Sequence, residues 1–190
     1  MPSTLAAVSS EHAELVEHLR INALKTEGPY TLRSGAISAW YLDARPITFS
    51  GRGARIIGPA LLVHVHETVE AVGGMTMGAD PVAMAVALAA TLQGRDLNAF
   101  SIRKAAKDHG LGGRLVGPVG PGSRVAILED TTTTGGAFFE AVDVAVSEGL
   151  EVVQAISLID RSGGMVTQAM MQREIPYTAV VVPADLGVES

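Results

Sequence analysis

The sequence predicts an α/β fold built on a central parallel sheet flanked by helices, and three observations predict it. From Ala71 onward, short apolar runs alternate with segments of helical periodicity, the pattern of strands joined by crossover helices. Val125, Ala126, Ile127 and Leu128 form one uninterrupted apolar run, as required of a strand buried on both faces. That run ends in Glu129 and Asp130, followed by a threonine/glycine stretch that opens a helix, and ligands in such sheets bind beyond the strand C-termini.

In order along the chain, residues from about Ser9 to Leu24 carry helical periodicity through Leu15, Val16, Leu19 and Ile21. Ser9 or Ser10 serves as cap, with Glu11 and Glu14 in the first turns. A β-rich segment spans Tyr30 to Phe49, after the Gly28-Pro29 break and with Pro46 near its end. A helix is expected over Gly53 to Glu67, a strand over Ala71 to Met75, and a helix over Pro81 to Leu92. Strands follow at Ala99 to Arg103, Val125 to Leu128, Val152 to Leu158 and Thr178 to Val182, with Phe138, Phe139, Val142 and Val146 at helical spacing between them. Gly117 to Gly122 reads as a turn-rich connector, and Met165, Met170 and Met171 as helix packing. His64 and His66 fall on different faces of the expected helix, which argues against a metal site. No repeat or long linker divides the chain, so residues 1–190 are expected to form one domain.

Composition excludes several functions. A net charge of -6 argues against a nucleic-acid-binding surface. Without cysteine, neither disulfides nor thiol catalysis arises. The longest apolar run, Val82 to Leu92, is too short to cross a bilayer, and the N-terminal residues lack a basic-then-apolar signal pattern, so a cytoplasmic location is expected.

The chemistry concentrates in Arg124 to Gly136, RVAILEDTTTTGG. Thr131, Thr132, Thr133 and Thr134 supply hydroxyls, Gly135 and Gly136 permit a tight turn, and the unpaired N–H groups of a helix start favour an anion. Two carboxylates repel that anion but accept hydrogen bonds from neutral hydroxyls. A phosphorylated sugar satisfies both halves. The alternative is ordinary helix-start and turn chemistry, although four threonines and two glycines exceed what a cap requires.

This stretch resembles the phosphoribosyl pyrophosphate (PRPP) signature of type I phosphoribosyltransferases, which implies that family's fold with a small N-terminal β-rich hood over about residues 1–50, a core over 51–190 and a lid loop over about 103–117. Arg103, Lys104, Lys107, His109 and Arg114 form a basic island hinged by Gly110, Gly112 and Gly113, suited to closing over a polyanion. Its wording, RKAAKDHGLGG, is similar to the catalytic loop of orotate phosphoribosyltransferases. Tyr30 to Ser38, YTLRSGAIS, resembles that family's N-terminal segment, with Arg33 where lysine is usual. Tyr41 falls at the base-stacking position, with Leu42 where a second aromatic is common, whereas Trp40 reads as sheet packing. Ser157 to Arg161, SLIDR, is similar to the strand end whose arginine grips the orotate carboxylate, although an ordinary surface role for Arg161 stays open. Two departures stand out. The turn GGMTMGADP has no lysine, leaving the amides of Thr76, Met77 and Gly78 for pyrophosphate, and Leu111 replaces the acid usual after the His-Gly pair.

The resemblance implies transfer of the 5-phosphoribosyl group from PRPP to orotate, giving orotidine 5'-monophosphate and pyrophosphate in pyrimidine (UMP) biosynthesis. Thr131 to Gly135 would hold the 5'-phosphate, and Glu129 and Asp130 the ribose hydroxyls. Mg²⁺ would ride on PRPP and water without direct protein ligands. Arg103, Lys107 and His109, with Asp130, would carry catalysis, while Arg33, Tyr41, Thr133 and Arg161 would hold orotate. A homodimer sharing the lid across its interface is also implied. The alternatives are another base as acceptor, or a nucleotide-sensing regulator on the same fold.

Overall fold

The computed structural model describes residues 4–31, 35, 37–105 and 113–189, with side chains from residue 10 onward. Arg33, Lys107 and His109 therefore lie outside the described residues. Helix α1 (Thr4–Asn22) precedes four short strands, β1 (Leu24–Lys25), β2 (Tyr30–Thr31), β3 (Ile37–Ser38) and β4 (Tyr41–Leu42). Two helices follow, α2 (Arg45–Thr48) and α3 (Gly51–Leu62). Then come β5 (Ala71–Met75), α4 (Ala79–Leu92), β6 (Asn98–Ile102), β7 (Leu115–Val116) and β8 (Arg124–Thr132). The chain continues through α5 (Gly136–Ser147), β9 (Glu151–Asp160), α6 (Met165–Gln172), β10 (Tyr177–Val181) and a 3-10 turn at Pro183–Leu186.

The last six strands make one sheet in the order β10-β9-β8-β5-β6-β7. All neighbours are parallel except β7, which runs antiparallel to β6. The expected all-parallel sheet is thus mixed at one edge, because a chain that leaves the top of β6 and returns beside it must run the other way. Chain order reverses between β5 and β8, and the crevice outside the strand C-termini at such a reversal is where ligands bind. One face of the sheet packs against α1, α3 and α4 through Leu15, Leu19, Ile57, Leu61 and Val86. The other packs against α5 and α6 through Phe138, Val142, Val166 and Met170. Burial of this apolar surface is the main drive holding the layers together.

Several boundaries differ from the expectations for local reasons. The β-rich segment forms two small pairs, β1 with β4 and β2 with β3, and then ends in α2. Pro46, expected to break the strand region, sits in the first turn of that helix, where its missing N–H costs nothing. Helix α3 stops at Leu62, so His64 and His66 are not on a helix. The Gln154 side chain accepts from the His66 N–H at 3.0 Å and donates to the His64 carbonyl at 2.7 Å, drawing that backbone away from helical pairing. In α1, Leu15 and Leu19 are buried but Ile21 is exposed, and of the three α6 methionines Met170 is buried while Met165 and Met171 face solvent. One irregularity sits in the β8–β9 ladder: Val125 pairs with Val152 but Ala126 pairs with Gln154, so β9 carries one extra residue, Val153.

Candidate active site

Two turns flank the reversal point. Strand β8 runs further than its apolar core suggests, carrying Glu129, Asp130, Thr131 and Thr132 as strand residues before Thr133 and Thr134 turn outward. Gly135 then enters α5 with φ of +80°, a left-handed conformation that L side chains avoid. A Cβ there would lie 2.7 Å from the Phe139 ring and 2.8 Å from Val166 Cγ2. The resulting cavity, about 160 Å³, is lined by Glu129 and residues 131–138. It opens at the first turn of a 12-residue helix, whose free N–H groups favour a phosphate. Thr132 lines this cavity but spends its hydroxyl on Ser157, at 2.8 Å and fully buried, while Thr133 and Thr134 keep theirs exposed. Ser157 in turn donates to the Ile159 carbonyl at 2.9 Å, so a buried polar relay stiffens the floor.

The acids differ in environment. Burial first, then the Asp130 charge and hydrogen bond, push the Glu129 carboxyl up to about 8. Its Oε2 is buried without a partner. Burial also raises Asp130, although the Thr131 N–H donating to its Oδ1 at 2.8 Å counters the shift. An unpartnered carboxylate oxygen beside a phosphate cavity fits a ligand hydroxyl. It also sets a pH dependence of stability. Between the ordinary glutamate value near 4.3 and about 8, the folded chain holds a Glu129 proton that the unfolded chain has lost. Stability is therefore expected to fall as pH rises through that window, by a few kcal/mol in order of magnitude. Glu129→Gln is expected to remove this component. Urea unfolding of both proteins at pH 5 and pH 9 measures it, and equal slopes would refute the assignment.

The turn after β5 abuts these acids. A Cβ on Gly78 would come 2.6 Å from Asp130 Oδ1, so glycine there lets the turn approach the carboxylate. Thr76 departs from its expected use: its N–H donates to the Ile102 carbonyl at 2.8 Å and is no longer free for pyrophosphate. Its hydroxyl donates to Asp80 Oδ2 at 2.7 Å, while Asp80 Oδ1 is buried and unpartnered. Met77 is exposed, and the Thr76–Met77 peptide is cis.

Arg161 follows β9 and lies beside Thr132, to whose carbonyl its N–H donates at 2.8 Å. Its guanidinium stacks over the Trp40 ring, 4.2 Å from the centroid. Burial lowers its proton affinity and the nearby Tyr41 phenol partly restores it. Tyr41 also packs against Tyr30, with ring centroids 5.9 Å apart. Half-burial, ring stacking and proximity to Tyr41 remove Arg161 from the class of plain surface arginines.

On the opposite rim, Arg103 and Lys104 stand at the first edge of the basic segment. Arg114 has a different place from its expected membership of the cationic lid. Its Nε donates to the Arg103 carbonyl at 2.6 Å, its own carbonyl accepts from the Arg103 N–H at 2.8 Å, and its guanidinium pairs with Glu140 on α5. It is a clamp that ties the two ends of the segment to the core. Sequence reasoning missed Ser157, Asp80 and this clamp. All three lie within segments already singled out, SLIDR, GGMTMGADP and the basic island, but their partners are distant in sequence and only the folded geometry reveals what they do. Among the described residues, no three His, Cys, Asp or Glu side chains converge on a metal position. Glu129 and Asp130 offer hard oxygen donors at the crevice, which suits a cation that arrives coordinated to a polyphosphate.

No family model matches the chain. An orotate phosphoribosyltransferase of Streptomyces avermitilis is 40% identical over 176 residues, covering 92% of this chain and 96% of the relative. The crystal structure of Mycobacterium tuberculosis orotate phosphoribosyltransferase in complex with Fe(III) dicitrate superposes with a TM-score of 0.81 at 36% identity, covering 94% of this chain and 99% of that one. The same enzyme in complex with PRPP gives a TM-score of 0.74 at 31% identity over 94% and 92% of the two chains. With relatives of this identity spanning nearly the whole length, and the cavity at the start of α5, the paired acids and Arg161 near one another at the sheet's reversal point, the chain belongs to the orotate phosphoribosyltransferase family.

Proposed function

We infer that the chain transfers the 5-phosphoribosyl group of PRPP to orotate, releasing pyrophosphate and forming orotidine 5'-monophosphate for pyrimidine synthesis. The observation that carries this reading is the backbone hydrogen bond from Arg161 to Thr132, which brings an arginine, a residue type suited to a planar carboxylate, close to the cavity at the start of α5. In this reading the 5'-phosphate sits at Thr133, Thr134 and Gly135, with Thr131 beside it and Thr132 holding the floor. Glu129 and Asp130 hydrogen-bond the ribose hydroxyls, and Glu129, once it gives up the proton it holds in the free chain, joins Asp130 in stabilising the positive charge that develops on the ribose as pyrophosphate departs. Arg161 forks onto the orotate carboxylate and Tyr41 covers the ring, with Thr133 reaching between donor and acceptor and Arg33 completing the acceptor side. Met77 and Gly78 receive the pyrophosphate, and Arg103, Lys104, Lys107 and His109 close over it.

Bound Mg²⁺ would neutralise part of the pyrophosphate charge, with Glu129 and Asp130 nearest to it. A homodimer goes with this reading, and so does a cytoplasmic location. Helices α3 and α4 support the dimer: a groove of about 410 Å³ between them is lined by Ala54, Pro59, Leu88 and Leu92, an apolar face suited to a second copy. The deciding assay follows consumption of orotate, uracil, hypoxanthine and xanthine with PRPP and Mg²⁺. Turnover of orotate alone is expected. If orotate is inert while another base reacts, the acceptor assignment fails and the PRPP assignment stands.

A further inference from the structure

Trp40, expected from the sequence to be plain packing, is held from three directions. Its ring face carries the Arg161 guanidinium at 4.2 Å. Its indole N–H donates to the Glu189 carbonyl at 2.9 Å, beyond the last turn of the chain. Its backbone is closed on Ser38, whose hydroxyl donates to the Trp40 carbonyl at 2.7 Å and accepts from the Trp40 N–H at 3.3 Å. Arg161, in contrast, has no carboxylate within ion-pair distance among the described residues.

That combination has a chemical consequence. A carboxylate partner would fix Arg161 by consuming its in-plane donors and cancelling its charge. A ring beneath the guanidinium plane fixes it while leaving both for a ligand. We propose that Trp40 is the positioning residue of the acceptor site: stacked under Arg161 and pinned to the Glu189 carbonyl, it holds the guanidinium fork in the plane of the incoming pyrimidine carboxylate. The proposal rests on the reading of Arg161 as the orotate-carboxylate partner, and it makes the hood and the C-terminal segment determinants of acceptor selectivity.

The test compares Trp40→Leu, Trp40→Phe and Arg161→Ala in steady-state assays with each substrate varied. Trp40→Leu is expected to raise KM for orotate about tenfold, in line with a desolvated cation–π contact, with KM for PRPP changing less than about twofold. Trp40→Phe, which keeps a ring face, recovers most of that loss. Equal changes in both KM values, or no rescue by phenylalanine, would overturn the proposal. An unchanged KM for orotate in Arg161→Ala is a different failure, since it removes the acceptor reading itself. The unmutated chain supplies a second readout because Trp40 is its one tryptophan. After correction for ligand absorbance, its emission is expected to shift with orotidine 5'-monophosphate and much less with PRPP. Equal responses to both would count against the positioning role even if the leucine variant failed to fold.

Discussion

Replacing Arg161 with alanine is expected to raise KM for orotate about 100-fold while leaving KM for PRPP within about twofold. Two parallel hydrogen bonds to a carboxylate, each charge-assisted, are together worth roughly 3 kcal/mol, which is about two factors of ten in binding. The half-buried setting makes this larger than for an exposed pair, because Arg161 is already partly stripped of water. Arg161→Lys is expected to restore little, since an ammonium cannot span both oxygens or stack on Trp40 in the same way. Folding should be nearly indifferent to the alanine change, as no carboxylate loses its partner. Kinetics with each substrate varied, together with a melting curve, separates these effects. A parallel rise in both KM values would mean that Arg161 supports the fold and not the acceptor.

A second large effect is expected at Lys107, the second lysine of the RKAAKDHGLGG segment. Lys107→Ala should lower kcat about 10²- to 10³-fold, the cost of removing one preorganised charge aimed at a leaving group. KM for PRPP should move only a few-fold, because an interaction made mainly in the transition state contributes little to ground-state binding. The clamp at the base of the segment bears on this expectation: the Arg103 N–H donates to the Arg114 carbonyl, the Arg114 Nε donates to the Arg103 carbonyl, and Glu140 holds the Arg114 guanidinium. The residues on either side of the segment are thus joined to each other and to α5. Near-normal kcat in Lys107→Ala would place leaving-group stabilisation elsewhere.

Much of this was legible in the amino-acid order because the strongest signals were local. Strand β5 was readable from Ala71 to Met75, since five consecutive small or apolar residues leave no other face to expose. The turn from β8 into α5 was readable because threonine, glycine and a following helix each have a steric or hydrogen-bonding reason to be adjacent. What escaped depended on partners distant in sequence. Helix α3 ended early because Gln154, some ninety residues away, captures the His64 and His66 backbone. Thr76 lost its amide to Ile102, and Arg114 became a clamp through Glu140, contacts that no window of residues contains. Trp40 was read by type, as packing, when its role depends on what stands above its ring.

The extra residue in β9 carries a consequence for the chemistry. Because side chains alternate faces along a strand, one inserted residue exchanges the two faces for everything beyond it. With Val153 present, Glu129 lies opposite Ser157 and Thr132 opposite Asp160. Without it, the half of β9 nearest the crevice would slide back by one place, and Ser157 would no longer meet Thr132. The insertion therefore works as a phase adjuster between two rails. It fixes which residues at the end of β9 stand level with the acids and threonines at the end of β8, so the relation between the two strand ends is set by the ladder itself.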